Sequence, residues 1–288
     1  MEIDYLAIVL LSSVSSASVL LIATVGLAVM FGLMGVINLA HGEFIMFGAF
    51  AALVTTHAGV PFPVAIVIAT LATALFGAIV ETLIIRHLYG RLFDTLLATW
   101  GLSLVLYQSA VLIFGSVTPG IGLPQSYIQI GDYTIASYMI FLIFVAVILI
   151  STLYWLLTKT GYGITARAAI QDPETASAIG IESSRINMMT FALGSGLAGF
   201  AGAILLPAIP ATPSMGFAFV IKAFLAVVVA GPVTLTGTVL AGGALGSLAS
   251  ITASFWTTVA GDILFFILTI VILRLFPLGI SAGWRMKL

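Results

Sequence analysis

Cysteine is absent from the chain, and charge is nearly so. Without cysteine, neither a disulfide nor a thiolate metal site can hold the fold. Three histidines alone also argue against a structural zinc site. Asp, Glu, Lys and Arg make up 7% of the 288 residues and hydrophobic residues 61%, whereas soluble domains carry about 25% charged residues. A soluble fold of this composition could not cover its own surface, so lipid is the solvent for most of the chain. The formal net charge of -1 leaves no basic footprint for nucleic acid. No G-x-x-x-x-G-K-[ST] occurs, so the chain cannot hydrolyse ATP unaided. The opening MEID lacks the basic region of a signal peptide, and the first apolar stretch reads as a retained membrane span.

What is present is a series of charge-free runs: residues 5–42, 44–80, 95–131, 133–158, 186–221 and 223–261. One span takes about 20 apolar residues, so the longest runs hold more than one span, or a broken one. Gly and Pro clusters at 57–63, 115–124, 207–216 and 231–237 mark turns. The pattern predicts helices over 6–31, 35–57, 62–85, 95–115, 136–158, 187–208, 217–232, 237–257 and 262–281. This describes an all-α polytopic membrane protein with eight or nine transmembrane segments, forming a single integral-membrane domain over 1–288. Two Gly-rich breaks, near 32–35 and 231–237, interrupt it. Segments 6–57 and 217–257 share the order helix, break, helix, a hint of a parallel internal repeat. Arg274 falls inside the last segment and must snorkel or pair. Lys and Arg occur in 86–94, 159–186 and the tail (Arg285, Lys287), and are missing from 58–61, 116–135, 209–216 and 258–261. The positive-inside rule then puts the N-terminus outside and the C-terminus in the cytoplasm.

The stretch GVINLAHGE (35–43) places Asn38, His41 and Glu43 in this apolar setting. At a rise of about 1.5 Å per residue, Glu43 lies about 12 Å deeper than Gly35. That is near the bilayer midplane, where an unpaired carboxylate costs at least about 2.5 kcal/mol. Asn38 and His41 share a helical face, whereas Glu43 points about 140° away from Asn38. Either the helix unwinds around Leu39–Gly42 or Glu43 serves a different partner. The three groups either join helices by hydrogen bonds or line the path of a polar solute, and at least one is assigned to the path.

A second polar group lies in 94–108. Trp100, Ser103 and Tyr107 fall at i, i+3 and i+7, one helical face. Ordinary packing with an interfacial aromatic is the plainer alternative. Asp94 and Thr95 read as an N-cap region. At the second break, Thr234, Thr236 and Thr238 can serve freed backbone groups, and Lys222 is expected to snorkel. GSGLAG (194–199) matches G-x-G-x-x-G but follows no strand and lies in an apolar span, so the dinucleotide reading fails. Ser195, Gly199 and Ala203 instead form a small-residue ridge for close helix contact.

The longest loop expected inside, 159–187, carries its own punctuation. Asp172 suits an N-cap, Pro173 the first helical position, Glu174 the positive helix end and Gly180 the position after the C-cap. These predict a two-turn helix over 173–179. It is too short to be stable alone, which suggests docking to a partner; a capped surface helix without one is the alternative.

FGLMGVINLAHGEFIMFGAF (31–50) and TARAAIQDPETASAIGI (165–181), followed by a Gly-rich span, resemble the branched-chain amino-acid permease family of ABC importers over nearly the whole chain. Within it, ETLIIRHLYGRLFDTLLATWGLSLVLYQ (81–108) and TFALGSGLAGFAG (190–202) look more like urea-type permeases, closest to the first permease subunit of urea importers. The resemblance implies a second homologous permease subunit, two cytoplasmic ATPase subunits that bind ATP and magnesium, and an extracytoplasmic solute-binding protein. The chain itself would hold no cofactor or metal and be no enzyme. Its place would be the bacterial plasma (inner) membrane, multi-pass. Coupling to the ATPases would fall to Arg167, Asp172, Pro173, Glu174, Ser177 and Gly180. Asn38, His41, Glu43, Trp100, Ser103, Tyr107 and Thr234 would line the path or brace the break beside it.

Urea is neutral and rich in hydrogen-bonding groups, which amides, hydroxyls and a carboxylate could replace for its water. An amino acid needs partners for both its charges, which Glu43 and Lys222 could provide, so the branched-chain amino-acid permease stays as the alternative. A passive solute channel would have broken helices too, but no need of the capped loop. A membrane enzyme built on His41 and Glu43 would lack a nearby nucleophile or metal set.

Overall fold

Charge-free runs become helices because lipid offers no partner to backbone N–H and C=O groups, so each segment must satisfy its own. The computed structural model of the chain describes residues 2–116, 120–121, 126–231 and 234–282. Arg285, Lys287, Pro232 and most of the 115–124 turn lie outside the described residues.

The nine predicted segments correspond to α1 (Glu2–Met34), α2 (His41–His57), α3 (Phe62–Leu83), α4 (Leu92–Phe114), α5 (Ser137–Lys159), α8 (Ser183–Leu205), α9 (Met215–Ala230), α10 (Thr234–Phe255) and α11 (Thr258–Leu275). Between α5 and α8 lie α6 (Gly161–Gln171) and α7 (Pro173–Ala178). The chain is an all-α polytopic membrane protein. Among the described residues, seven helices are long and apolar enough to cross a membrane, against the eight or nine expected. The shortfall is α2 and α9, of 17 and 16 residues, each adjoining one of the two breaks. Arg274 falls in the last turn of α11, where a cation suits the negative helix end; it is not buried inside a span.

Three local differences from the sequence reading have physical causes. The stretch expected only as a loop contains a hairpin, β1 (Tyr127–Ile130) paired antiparallel with β2 (Tyr133–Ala136), in register Tyr127 to Ala136. Alternating aromatic and β-branched residues flank a two-residue Gly131–Asp132 turn, with Gly131 at φ +59. Helix α6 went unforeseen because Gly161 and Gly163 weaken helix propensity. Thr160 caps it by accepting from the Gly163 N–H; its buried residues are Gly163, which lies against the Leu157 backbone, Ala166 and Ala169, and the helix also touches α8. Helix α4 begins ahead of the expected Asp94–Thr95 cap. Arg91 holds the cap position, and the Thr95 hydroxyl turns back to the carbonyls of Leu88 (3.0 Å) and Arg91 (2.9 Å).

The residues divide into two compact units, Met1–Thr24 with Gly122–Leu149 and Lys222–Leu288, and Val25–Ile121 with Ile150–Ile221. In the second unit α8 is the central helix. Its Gly194 meets Met30 and Gly26, Ser195 meets Gly77, Gly199 meets Gly48 and Thr73, and Gly202 meets the Ile45 carbonyl. Small side chains let these backbones approach closely where lipid gives no hydrophobic drive to association. Ala203 on the same ridge is fully buried. GSGLAG lies inside this helix, and the element preceding that helix is α7, not a strand. Phe44 packs edge-on to Phe191 at 5.9 Å, and Phe47 stacks on Phe76 at 5.0 Å.

In the first unit, Gly242 and Gly246 of α10 pack on Leu21 and Ala17. The hairpin's Tyr133 lies 5.6 Å from the Tyr5 ring. Lys222 of α9 does not snorkel: its ammonium donates to Asp262 of α11 at 2.6 Å. They are the only charges in residues 186–273, a sequence signal for their pairing.

A methyl at Gly202 would strike the Ile45 carbonyl, whereas one at Gly101 meets nothing within 4 Å. Overpacking costs about 1–3 kcal/mol. Gly202→Ala should therefore lower the melting temperature of the detergent-solubilised protein, and Gly101→Ala should leave it unchanged or raise it.

Candidate functional site

The helix that starts at Glu2 stops at Met34 because Gly35 takes φ +64. Residues 36–40 are unwound, and α2 resumes at His41. Non-helical backbone at membrane depth must find partners in the protein, and here it does. Leu39 N–H donates to the Thr99 hydroxyl of α4 at 3.1 Å, and that hydroxyl reaches the Ile37 carbonyl at 3.4 Å. Ala40 N–H donates to Asn38 Oδ1 at 3.0 Å, a local turn of the kind short amide side chains form. Asn38 Nδ2 faces the Met30 sulfur at 3.6 Å. Asn38, buried at 1% exposure, braces the break.

The orientation question raised by Glu43 is answered on both counts. The chain unwinds, slightly earlier than Leu39–Gly42, and Glu43 serves a partner different from that of His41. A Cβ at Gly26 would lie 3.1 Å from His41 Cε1, so the imidazole lies against α1. Glu43 instead turns to α4, where Ser103 is the polar side chain beside its carboxylate. Among the described residues, neither carboxylate oxygen completes a hydrogen bond of ordinary geometry, and Glu43 is fully buried.

The face of α4 turned inward is Thr95, Thr99, Ser103 and Ala110. Trp100 is 52% exposed and stands off this face, so the Trp100–Ser103–Tyr107 stripe is not one surface. Tyr107 is half-buried, its ring 5.4 Å from Phe217. Farther along, Phe114 stacks on Phe50 at 4.2 Å. The Thr95–Thr99–Ser103 spacing of four residues was legible in the sequence, but the aromatic spacing drew the assignment away from it. The break and α2 therefore meet α4 along a polar seam: Leu39, Ile37 and Glu43 on one side, Thr99 and Ser103 on the other. Helix α2 packs closely on α3 and α8 and only lightly on α4.

The second break, at Gly231 with φ +81, is closed differently from expectation. The Val229 carbonyl accepts from Ile280 N–H (2.9 Å), and the Ala230 carbonyl from Ser281 N–H (3.1 Å) and hydroxyl (2.6 Å). Thr236 is exposed, Thr238 is buried with no partner for its hydroxyl among the described residues, and the Thr234 side chain lies outside them.

In the loop, α7 has the predicted punctuation. Asp172 accepts from Thr175 N–H (3.1 Å) and hydroxyl (2.5 Å), and Gly180 takes φ +88. Those two bonds from Thr175 hold the Asp172 carboxyl below its ordinary range. Glu174, Ser177 and Gly180 are exposed, while Ala176 is buried. Arg167 is exposed and donates to the Leu157 carbonyl at the end of α5. The Tyr162 hydroxyl meets that of Thr190 at 2.8 Å, joining α6 to α8, and burial pushes the Tyr162 phenol up.

One cluster went unread in the sequence. Glu81, fully buried, accepts from the Tyr89 hydroxyl (2.5 Å) and from Arg86 (3.4 Å). Desolvation first, and then the Glu81 bond, push the Tyr89 phenol well up. Among the described residues, no three of His, Cys, Asp and Glu stand close enough to hold a metal ion.

Comparison with known proteins gives the following. Residues 9–273 match the family described as "Branched-chain amino acid transport system / permease component". The high-affinity branched-chain amino acid transport system permease protein BraD of Pseudomonas aeruginosa is 29% identical, with 94% of each chain covered. LivH, the permease protein so described in Escherichia coli, is 26% identical over 93% of each chain. A probable branched-chain amino acid transport permease protein LivH of Methanocaldococcus jannaschii is 29% identical over 49% of this chain and 48% of its own. No solved structure matches.

Thr99→Val removes the hydroxyl but keeps the shape, leaving the Leu39 N–H unsatisfied at a cost of about 1–3 kcal/mol. The variant should melt at a lower temperature, with Thr99→Ser close to the wild type.

Proposed function

We infer function from family and site together: the chain belongs to the permease family of branched-chain amino acid transport systems. It is a multi-pass plasma-membrane transport subunit. In our reading it is one of two homologous permease subunits of an ABC importer that moves branched-chain amino acids into the cytoplasm. Two ATPase subunits hydrolyse ATP with magnesium, and an extracytoplasmic protein delivers the solute. The observation that carries this reading is the polar seam between α2 and α4, the described site where buried polar groups of two helices face each other across light packing. Residues 86–94 and 159–187 face the cytoplasm, by the charge pattern. The exposed, doubly capped α7 is the piece that fits an ATPase groove.

Urea, expected from 81–108 and 190–202, gains no support. The matching family and the relatives above are described for branched-chain amino acids. Several residues of those stretches are occupied otherwise. Glu81 ties down Tyr89 and Arg86, Thr99 serves the helix break, and 190–202 packs α8 on its neighbours. Packing of that sort is neutral to the choice of solute.

The test is ATP-dependent uptake of labelled leucine by the reconstituted complex, with urea as competitor, for wild type and Glu174→Arg. Leucine uptake that ignores urea and is lost in Glu174→Arg is the expected result. Uptake of urea in place of leucine, or uptake indifferent to ATP, contradicts the reading.

A further inference from the structure

We propose that Glu43 is the receptor for the α-ammonium group of the transported amino acid, an assignment that rests on amino-acid import as read above. The predicted spans contain three carboxylates: Glu43, Glu81 and Asp262. Glu81 is held by Tyr89 and Arg86, and Asp262 by Lys222. Glu43 is the one with no cation and no completed hydrogen bond among the described residues, although it is fully buried. A buried carboxylate without a partner is costly. A cation that arrives with the solute and leaves with it relieves that cost only while the solute is there.

The surroundings select the kind of cation. Among the described residues, no three of His, Cys, Asp and Glu come together at Glu43 to make a metal site, and His41 lies against Gly26 of α1. One carboxylate with the neighbouring Ser103 hydroxyl matches a singly charged group with several N–H donors. An ammonium is that group. Further along the seam, Tyr107 and Phe217 offer an aromatic pair, a surface for a branched apolar side chain. The remaining polar groups of the seam are neutral, so recognition of charge is concentrated at the ammonium end. The ligand enters from the α4 side, since α2 is held close by α3 and α8. Lys222, the other candidate for an amino acid's charges, is committed to Asp262.

The experiment uses the permease complex with its ATPases and without the binding protein, followed by thermal melting. Millimolar leucine raises the melting temperature of the wild type. The same concentration of 2-hydroxy-4-methylpentanoate, in which hydroxyl replaces ammonium, does not. Glu43→Gln abolishes the leucine shift while its own melting temperature is kept or raised, and Glu43→Asp retains part of the shift. With the binding protein restored in proteoliposomes, Glu43→Gln slows leucine uptake by at least about tenfold, the equivalent of one lost interaction of about 1.4 kcal/mol. Equal shifts from the two compounds, no shift with leucine, or a Glu43→Gln complex that imports at the wild-type rate overturns the assignment. Wild-type leucine uptake in the same vesicles keeps the two readings separable. Uptake that is present and indifferent to Glu43→Gln leaves import standing and removes the receptor.

Discussion

Every broken helix in a bilayer faces one constraint: backbone groups released from the helix must be met by protein, because lipid cannot meet them. The described residues at both breaks obey it, by different devices. At Val36–Ala40 the partners are side chains, with Thr99 serving Leu39 and Ile37 and Asn38 serving Ala40. At Gly231 the partners are backbone and hydroxyl from Ile280 and Ser281, just beyond α11. The first device has a consequence the second lacks. It draws a polar face of α4 against the start of α2, and that face continues from Thr99 to Ser103 and so to Glu43.

Packing within that unit is uneven. Glycines and a serine on α8 bring α2, α3 and the second half of α1 to backbone contact, where even a methyl would not fit at Gly48 or Gly202. Helix α4 is joined to α2 mainly through hydroxyls and an aromatic stack. A tightly packed group of helices beside a lightly attached one is the arrangement in which a solute can pass along the seam without dismantling the core. Hydrogen bonds to hydroxyls exchange with a ligand more readily than interlocked backbones separate.

Much of the fold was legible because lipid simplifies the code. Apolar length, Gly and Pro punctuation and cap residues located nine helices and the α7 turn. What escaped had weak local signals. Helix α6 starts with Gly161 and Gly163, and the hairpin at 127–136 is stabilised by pairing that periodicity of helices does not report. At the break, Asn38, Glu43 and Ser103 stand out in the sequence as polar groups in an apolar chain, and the structure buries all three. Thr99 was missed because a threonine is unremarked in a membrane helix, and Trp100 was included because large aromatics stand out, although its exposure places it off the seam. Lys222 was read alone, when its partner Asp262 lay 40 residues away in sequence. The substrate was the hardest to read: the stretches that suggested urea contain residues engaged in packing.

The absence of cysteine makes the central claim, that the α2–α4 seam is the solute path, directly testable. Single cysteines replace Ser103 and, as a control on the same helix, Leu102, in the reconstituted complex. A small charged thiol reagent is applied during ATP-driven turnover, with and without leucine. The account predicts that Ser103→Cys is modified during turnover and protected by leucine, whereas Leu102→Cys shows no protection. A Ser103→Cys that stays unreactive throughout turnover while transport proceeds would contradict it.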